Sequence, residues 1–117
     1  MPAIDQDLEL YQNATEVIII AVTDESNVPL DLTTFTDLCW VMTKGGVEVL
    51  RYELADIEMD IVNADGTDDG IRLTIPSATT ALLSCGRIYT HQAWGVFGGA
   101  TKPLSVGYVT VMRGDGC

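Results

Sequence analysis

Ile71-Arg-Leu-Thr-Ile75 alternates apolar and polar side chains without a break, and Ile57-Glu-Met-Asp-Ile61 does the same a short way upstream. A period of two puts successive side chains on opposite faces of an extended chain. Ile71, Leu73 and Ile75, and likewise Ile57, Met59 and Ile61, are therefore expected to point inward, with Arg72, Thr74, Glu58 and Asp60 in water. Leu8, Leu10 and Gln12, set against Glu9 and Tyr11, repeat the pattern near the start.

Working outward from these runs, turn-forming clusters recur every eight to twelve residues: Asp24-Glu-Ser-Asn-Val-Pro29, Lys44-Gly45-Gly46, Asn63-Ala-Asp-Gly66, Phe97-Gly-Gly-Ala-Thr-Lys-Pro103 and Arg113-Gly-Asp-Gly116. Paired glycines supply the positive φ of a primed turn, so Lys44-Gly45-Gly46 reads as a tight hairpin. Strands are expected at about 7–12, 16–23, 37–43, 47–53, 57–62, 70–75, 87–97 and 104–112. Eight short strands in 117 residues read as one all-β domain over 1–117, an antiparallel β-sandwich. Ser77 is expected to cap one short helical turn near 77–83 that covers an end of the sandwich, with Gly86 at its exit. In 47–54 the apolar phase switches from Val47 and Val49 to Leu50, Tyr52 and Leu54, which predicts a β-bulge near Val49–Leu50.

Two runs break the alternation. Val17-Ile-Ile-Ile-Ala-Val22 and Leu38-Cys-Trp-Val-Met42 are apolar on both faces. A strand of a two-layer sandwich has one face toward water, so the outer residues here need cover from the N-terminal segment, a loop or another chain.

Seventeen acids against six bases give a net charge of −11, which repels phosphate backbones and argues against nucleic-acid binding. The acids lie forward: residues 1–43 hold eight of them and no Lys or Arg, whereas residues 87–117 hold Arg87, Lys102 and Arg113 against Asp115. Such an asymmetry lets an acidic front half and a weakly basic end meet across copies in a ring or shell, and an acidic surface also serves solubility. No apolar run reaches about 18 residues, so no membrane span is expected, and the opening residues do not read as a secretory signal. Cys39, Cys85 and Cys117 are odd in number and widely spaced. Cys39 and Cys85 are expected to pack as small hydrophobes, in a protein assembled in a reducing cytoplasm.

Motifs that carry chemistry are sparse. His91 is the sole histidine, has no metal-ligating or nucleophilic neighbours in sequence, and alternates with Tyr89 and Ala93, so it reads as a buried strand residue. Asp65, Thr67 and Asp69 before Gly70 imitate the first half of a calcium loop, but Pro76 stands where the bidentate Glu belongs. These three are weak cation candidates in what reads as a surface hairpin loop. Glu58 and Asp60 read as a solvated face rather than a catalytic carboxylate pair. Ser77 and Ser84 lack a nucleophile elbow, and no glycine run has phosphate-loop spacing. Trp40, Trp94, Tyr89 and Tyr108 admit a sugar-binding platform, although aromatics at strand spacing more often fill a core. No catalytic residue, metal or cofactor is expected, and the chain is not expected to be an enzyme.

The segment Pro29-Leu-Asp-Leu-Thr33 after an apolar strand, the corner Leu83-Ser-Cys-Gly-Arg-Ile-Tyr89 and the closing Leu104-Ser-Val-Gly-Tyr-Val-Thr-Val111 resemble the small Ig-like β-sandwich modules of tailed-phage virions. The likeness is to the N-terminal domain of upper-baseplate (fibre-adaptor) proteins. It implies an Ig-like sandwich that works as a structural virion protein of the tail, baseplate or head–tail adaptor, through protein–protein docking. A capsid decoration (cement) protein is one alternative, and a carbohydrate-binding module is an alternative of another class. The implied partners are other virion proteins and further copies of this chain in a homo-oligomer or symmetric array. Candidate contacts are Leu8, Leu10, Tyr11, Val17, Ile19, Trp40 (or Cys39 and Val41 on the opposite phase), Trp94 and Lys102 within the 97–103 loop.

Overall fold

Strand alternation governs nearly the whole chain. The computed structural model describes residues 4–113 apart from Glu25, Asn27, Asp65 and Gly66. It contains β1 (Ile4–Asp5), β2 (Leu8–Tyr11), β3 (Glu16–Ala21), β4 (Asp37–Lys44), β5 (Val47–Glu53), β6 (Met59–Val62), β7 (Gly70–Ile75), the helical turn α1 (Ser77–Thr80), β8 (Gly86–Phe97) and β9 (Ala100–Met112). The larger sheet runs β1-β9-β8-β4-β5, with β2 also on β9; the smaller runs β3-β7-β6. β1 and β2 lie end to end along β9 and are parallel to it, so they act as one interrupted strand. Every other pairing is antiparallel.

This is an all-β sandwich with immunoglobulin-type strand order. The small sheet corresponds to strands B, E and D, and the large one to G, F, C and C′ of that plan. Two hallmarks of the plan are present. Trp40 on β4 is fully buried, and the Tyr89 hydroxyl at the start of β8 accepts a hydrogen bond from the Ser84 amide at 2.7 Å, a tyrosine corner. His91 falls two residues after that tyrosine, where antibody domains place the second cysteine of their inter-sheet disulfide.

The core lies between the sheets. Ile18, Ile20, Ile71, Leu73 and Ile75 from the small sheet meet Leu38, Trp40, Met42, Leu104, Val109 and Val111 from the large one. Each fully buried aliphatic side chain of this kind contributes roughly 1.5–3 kcal/mol. Trp40 stacks on Tyr52 at 6.1 Å between ring centroids.

Local expectations fare unevenly. Gly45 and Gly46 adopt φ of 59° and 81° and close the β4–β5 hairpin as a primed turn demands. The register passes from Met42↔Leu50 to Thr43↔Glu48, leaving Val49 as the bulged residue. Ile57, by contrast, is 92% exposed. The Asp56 carboxylate accepts from the Glu53 amide and the Asp56 carbonyl accepts from Met59, so a turn consumes the residues before β6 and the alternation begins at Met59. Ser77 is the first helical residue rather than the cap. Pro76 holds the cap position with extended dihedrals and no side-chain bond, and α1 is a single turn of four residues. Leu83 is buried at that end of the sandwich, but Leu82 is exposed.

One of the two cysteines expected to pack as small hydrophobes departs from that expectation. Cys85 is disulfide-bonded rather than a small hydrophobe, while Cys39 is a buried free thiol. Cys117 and the 114–116 turn lie outside the described residues. Within the chain itself the acidic beginning lies against the basic end of the sequence: β1 and β2 pair with β9, and the Arg87 guanidinium lies 3.3 Å from the Asp7 carboxylate.

Candidate functional site

The break between β1 and β2 places Gln6 at a junction of the two sheets. Its amide donates to the Val106 carbonyl at 2.7 Å, keeping it on β9. Its side-chain Nε2 donates to the Ala21 carbonyl of β3 at 3.0 Å and to the Ser105 hydroxyl at 3.3 Å. Its carbonyl turns inward to His91 Nε2 at 2.5 Å. The indole N–H of Trp40 can only donate, and it donates to His91 Nδ1 at 3.2 Å. The ring is therefore the neutral tautomer with its proton on Nε2, which it donates to Gln6. The histidine thus pins the N-terminal strand to the core tryptophan. Gly107 makes room for the crossing, because a Cβ there would collide with the Gln6 carbonyl.

β3 is an edge strand. It follows β2 through a tight turn at Asn13 (φ 63°) but does not pair with it. The Val22 amide donates to the Asp69 carbonyl at 2.9 Å and the Thr74 amide donates to the Glu58 carbonyl at 2.9 Å. With the β3–β7 register, these bonds make Ile18↔Leu73 and Ile20↔Ile71 the hydrogen-bonded pairs. The amides and carbonyls of Val17 and Ile19 therefore point away from β7, toward the open side. Their side chains stand on the outer face of the small sheet, 58% and 54% exposed. Two ends of this edge are closed off: Gln6 occupies the Ala21 carbonyl, and the Glu16 carboxylate accepts from the Tyr11 amide at 3.2 Å. Beside the open stretch runs a groove of about 510 Å³ lined by Asp7, Leu8, Glu9, Glu16, Val17, Ile18, Arg87 and Thr110.

The second apolar-on-both-faces run, in β4, finds its cover within the chain. Cys39 and Val41 face outward yet are 4% and 7% exposed. Arg51 on β5 lies across them, its Nη1 3.1 Å from the Cys39 sulfur and its guanidinium 5.6 Å from the Trp94 ring centroid on β8. Arg51 is held there by Glu48 at 3.1 Å and Glu53 at 3.3 Å. Burial pushes the Cys39 thiol above the ordinary thiol range, with the nearby arginine acting in the opposite direction. Next to this cover, the outer face of the large sheet forms a shallow depression between Val41, Trp94, Gln92, Val106 and Tyr108. Val106 carries little signal in the sequence, because Leu104 and Ser105 before it are both buried and break the alternation.

The candidate contact residues separate into four places. Leu8 and Tyr11 on β2 and Val17 and Ile19 on β3 border the open edge. Trp94 lies on the opposite face of the sandwich, under Arg51. Lys102 lies on β9 rather than in a 97–103 loop, because β8 and β9 pair up to Phe97 and Ala100 around a tight Gly98–Gly99 turn, and its amine is 5.9 Å from the Phe97 ring of the same chain. Leu10 and Trp40 are both fully buried in the core, so neither presents surface to a partner; β2 and β4 turn those positions inward. Of the cation candidates, Asp65 lies outside the described residues and Thr67 is half-buried. The buried Asp69 spends one carboxylate oxygen on the Ala64 amide at 2.9 Å, and its carbonyl on Val22, so it organises the loop. Among the described residues no three His, Cys, Asp or Glu side chains gather at metal-binding distance. Among the described residues, no helix is long and apolar enough to cross a membrane.

No family model matches the chain, and no curated protein matches it.

Proposed function

We propose that this protein is a non-enzymatic assembly module of a tailed-phage particle, placed in the tail, baseplate or head–tail adaptor, that works by docking the β3 side of its sandwich on another virion protein. One observation carries this reading: Val17 and Ile19 form an apolar stripe beside the open edge of β3, with more than half of each side chain in water. An apolar edge with open amides and carbonyls is a template for a further strand, and proteins that keep such an edge free blunt it with devices such as Lys, Pro or a bulge. β3, with the sequence Glu-Val-Ile-Ile-Ile-Ala, has none of these. Completing the burial of Val17 and Ile19 is worth about 1 kcal/mol each, half of the full-burial figure for such side chains. Many symmetric copies turn contacts of that size into durable attachment through avidity.

The Ig-type strand order and the Gly–Tyr corner support the resemblance to virion sandwich modules. A capsid decoration protein would use the same stripe. In the carbohydrate-binding reading Trp94 is the platform, but Arg51 already occupies a face of its ring.

The test is incorporation. The protein is expected in stoichiometric amount in purified virions, and Val17→Glu with Ile19→Glu should leave a folded chain that no longer incorporates. A chain absent from particles and monomeric at high concentration by light scattering would sink the reading, and retention on a glycan array lost in Trp94→Ala would replace it with the carbohydrate one.

A further inference from the structure

We infer that the open edge of β3 receives an extended, cationic segment of the partner protein, which adds to the small sheet as a fourth strand. The inference deepens the docking reading and rests on it for the existence of a partner. Its particulars come from the geometry of the edge.

A strand that pairs with β3 must lie about 4.8 Å from it on the side away from β7. That is where Val17 and Ile19 present their amides and carbonyls, and among the described residues no hydrogen bond reaches those four groups. It is also where the groove between β2 and β3 runs. Gln6 and Glu16 close the two ends, so the open stretch is short and the register of an added strand is bounded.

Alternation then dictates the composition of the occupant. Side chains on one face of the added strand would lie beside Val17 and Ile19 on the outside of the sheet, where apolar groups extend the existing stripe. Side chains on the other face would enter the groove toward Asp7, Glu9 and Glu16, whose one cation, Arg87, is already 3.3 Å from Asp7. Basic residues fit there. The complement of this edge is a segment that alternates basic and apolar residues. A second copy of this chain is a poor occupant. Pairing two β3 edges would bring together the acidic groove walls of two molecules that each carry a net charge of −11.

The probe is an eight-residue blocked peptide of alternating lysine and valine, with a glutamate–valine peptide as its control, added to the full chain. Amide hydrogen exchange should slow at least tenfold at Val17 and Ile19 with the lysine peptide and stay unchanged with the glutamate peptide. Ile19→Pro removes an outward amide without touching the β7 ladder, as edge strands tolerate, and should weaken binding at least tenfold. Glu9→Lys, a change at an exposed position of the groove wall, should weaken it severalfold and flatten its salt dependence. Unchanged exchange at Val17 and Ile19 under saturating peptide, equal binding of the two peptides, or protection of these amides by self-association without peptide would each overturn the inference. If the peptide fails while Val17→Glu with Ile19→Glu still blocks incorporation into virions, strand addition falls and docking stands.

Discussion

At Gly107, His91 and Tyr89 a single atom decides whether two parts of the fold can meet. Gly107 is needed because the Gln6 carbonyl passes where a Cβ would stand. Gly107→Ala must push the N-terminal strand off β9 or distort β9, and is expected to lower stability by about 2–3 kcal/mol, the overpacking range, measured by urea unfolding. His91→Leu strands the buried Trp40 indole N–H and the Gln6 carbonyl and is expected to lower stability by about 2–3 kcal/mol, with faster exchange of the β1 and β2 amides. Tyr89→Phe keeps the ring in the core and removes one acceptor from the Ser84 amide, a loss of about 1 kcal/mol. The Tyr89 corner lies within a stretch legible in the sequence, but the roles of Gly107 and His91 are not visible locally. Gly107 reads as one more strand glycine and His91 as a lone buried histidine, because the partner of both, Gln6, is remote in sequence and arrives only through the parallel pairing of β1 and β2 with β9.

At the scale of elements, the two strands that are apolar on both faces meet different fates. β4 is central in its sheet, and β5 beside it supplies Arg51 as a lid over Cys39 and Val41. β3 is at an edge, and no described element crosses its outer face. Both look alike in sequence; sheet position separates them. The Cys39 lid has a pH consequence. Burial raises the Cys39 thiol and also the Tyr52 phenol above their ordinary ranges, Tyr52 further through the nearby Glu58. A group raised on folding contributes stability that is complete below its unfolded value and is lost as pH climbs through the folded one. The melting temperature should therefore hold between pH 6 and 8 and fall from roughly pH 9 upward, and Cys39→Val should soften the onset of that fall. A melting curve flat to pH 11 would contradict it.

Across the whole molecule, a charge of −11 on a small sandwich opposes the compact state, since few cations offset it. Raising salt from about 10 to 200 mM screens charges beyond roughly a Debye length and should raise the melting temperature by a few degrees in a thermal scan. Among the described residues the exposed ion pairs, Arg51 with Glu48 and Glu53, Arg72 with Asp60 and Arg87 with Asp7, weaken over the same range but contribute little to begin with.

Strand count, the Gly45–Gly46 hairpin, the bulge at Val49, the inward faces of β2 and β7 and the general sandwich were all legible in the residues, because period-two alternation and glycine turns are local signals. Ile57 and Ser77 misled for the same reason: a turn stitched by Asp56 and a cap taken by Pro76 override short-range pattern. Which apolar stripe stays open, which of the candidate contacts are buried, and what His91 holds depend on which strand lies at an edge and which on β9, and those are properties of pairing between segments distant in sequence. Alternation tells a strand which side chains to bury; only the assembled sheets tell it who its neighbours are.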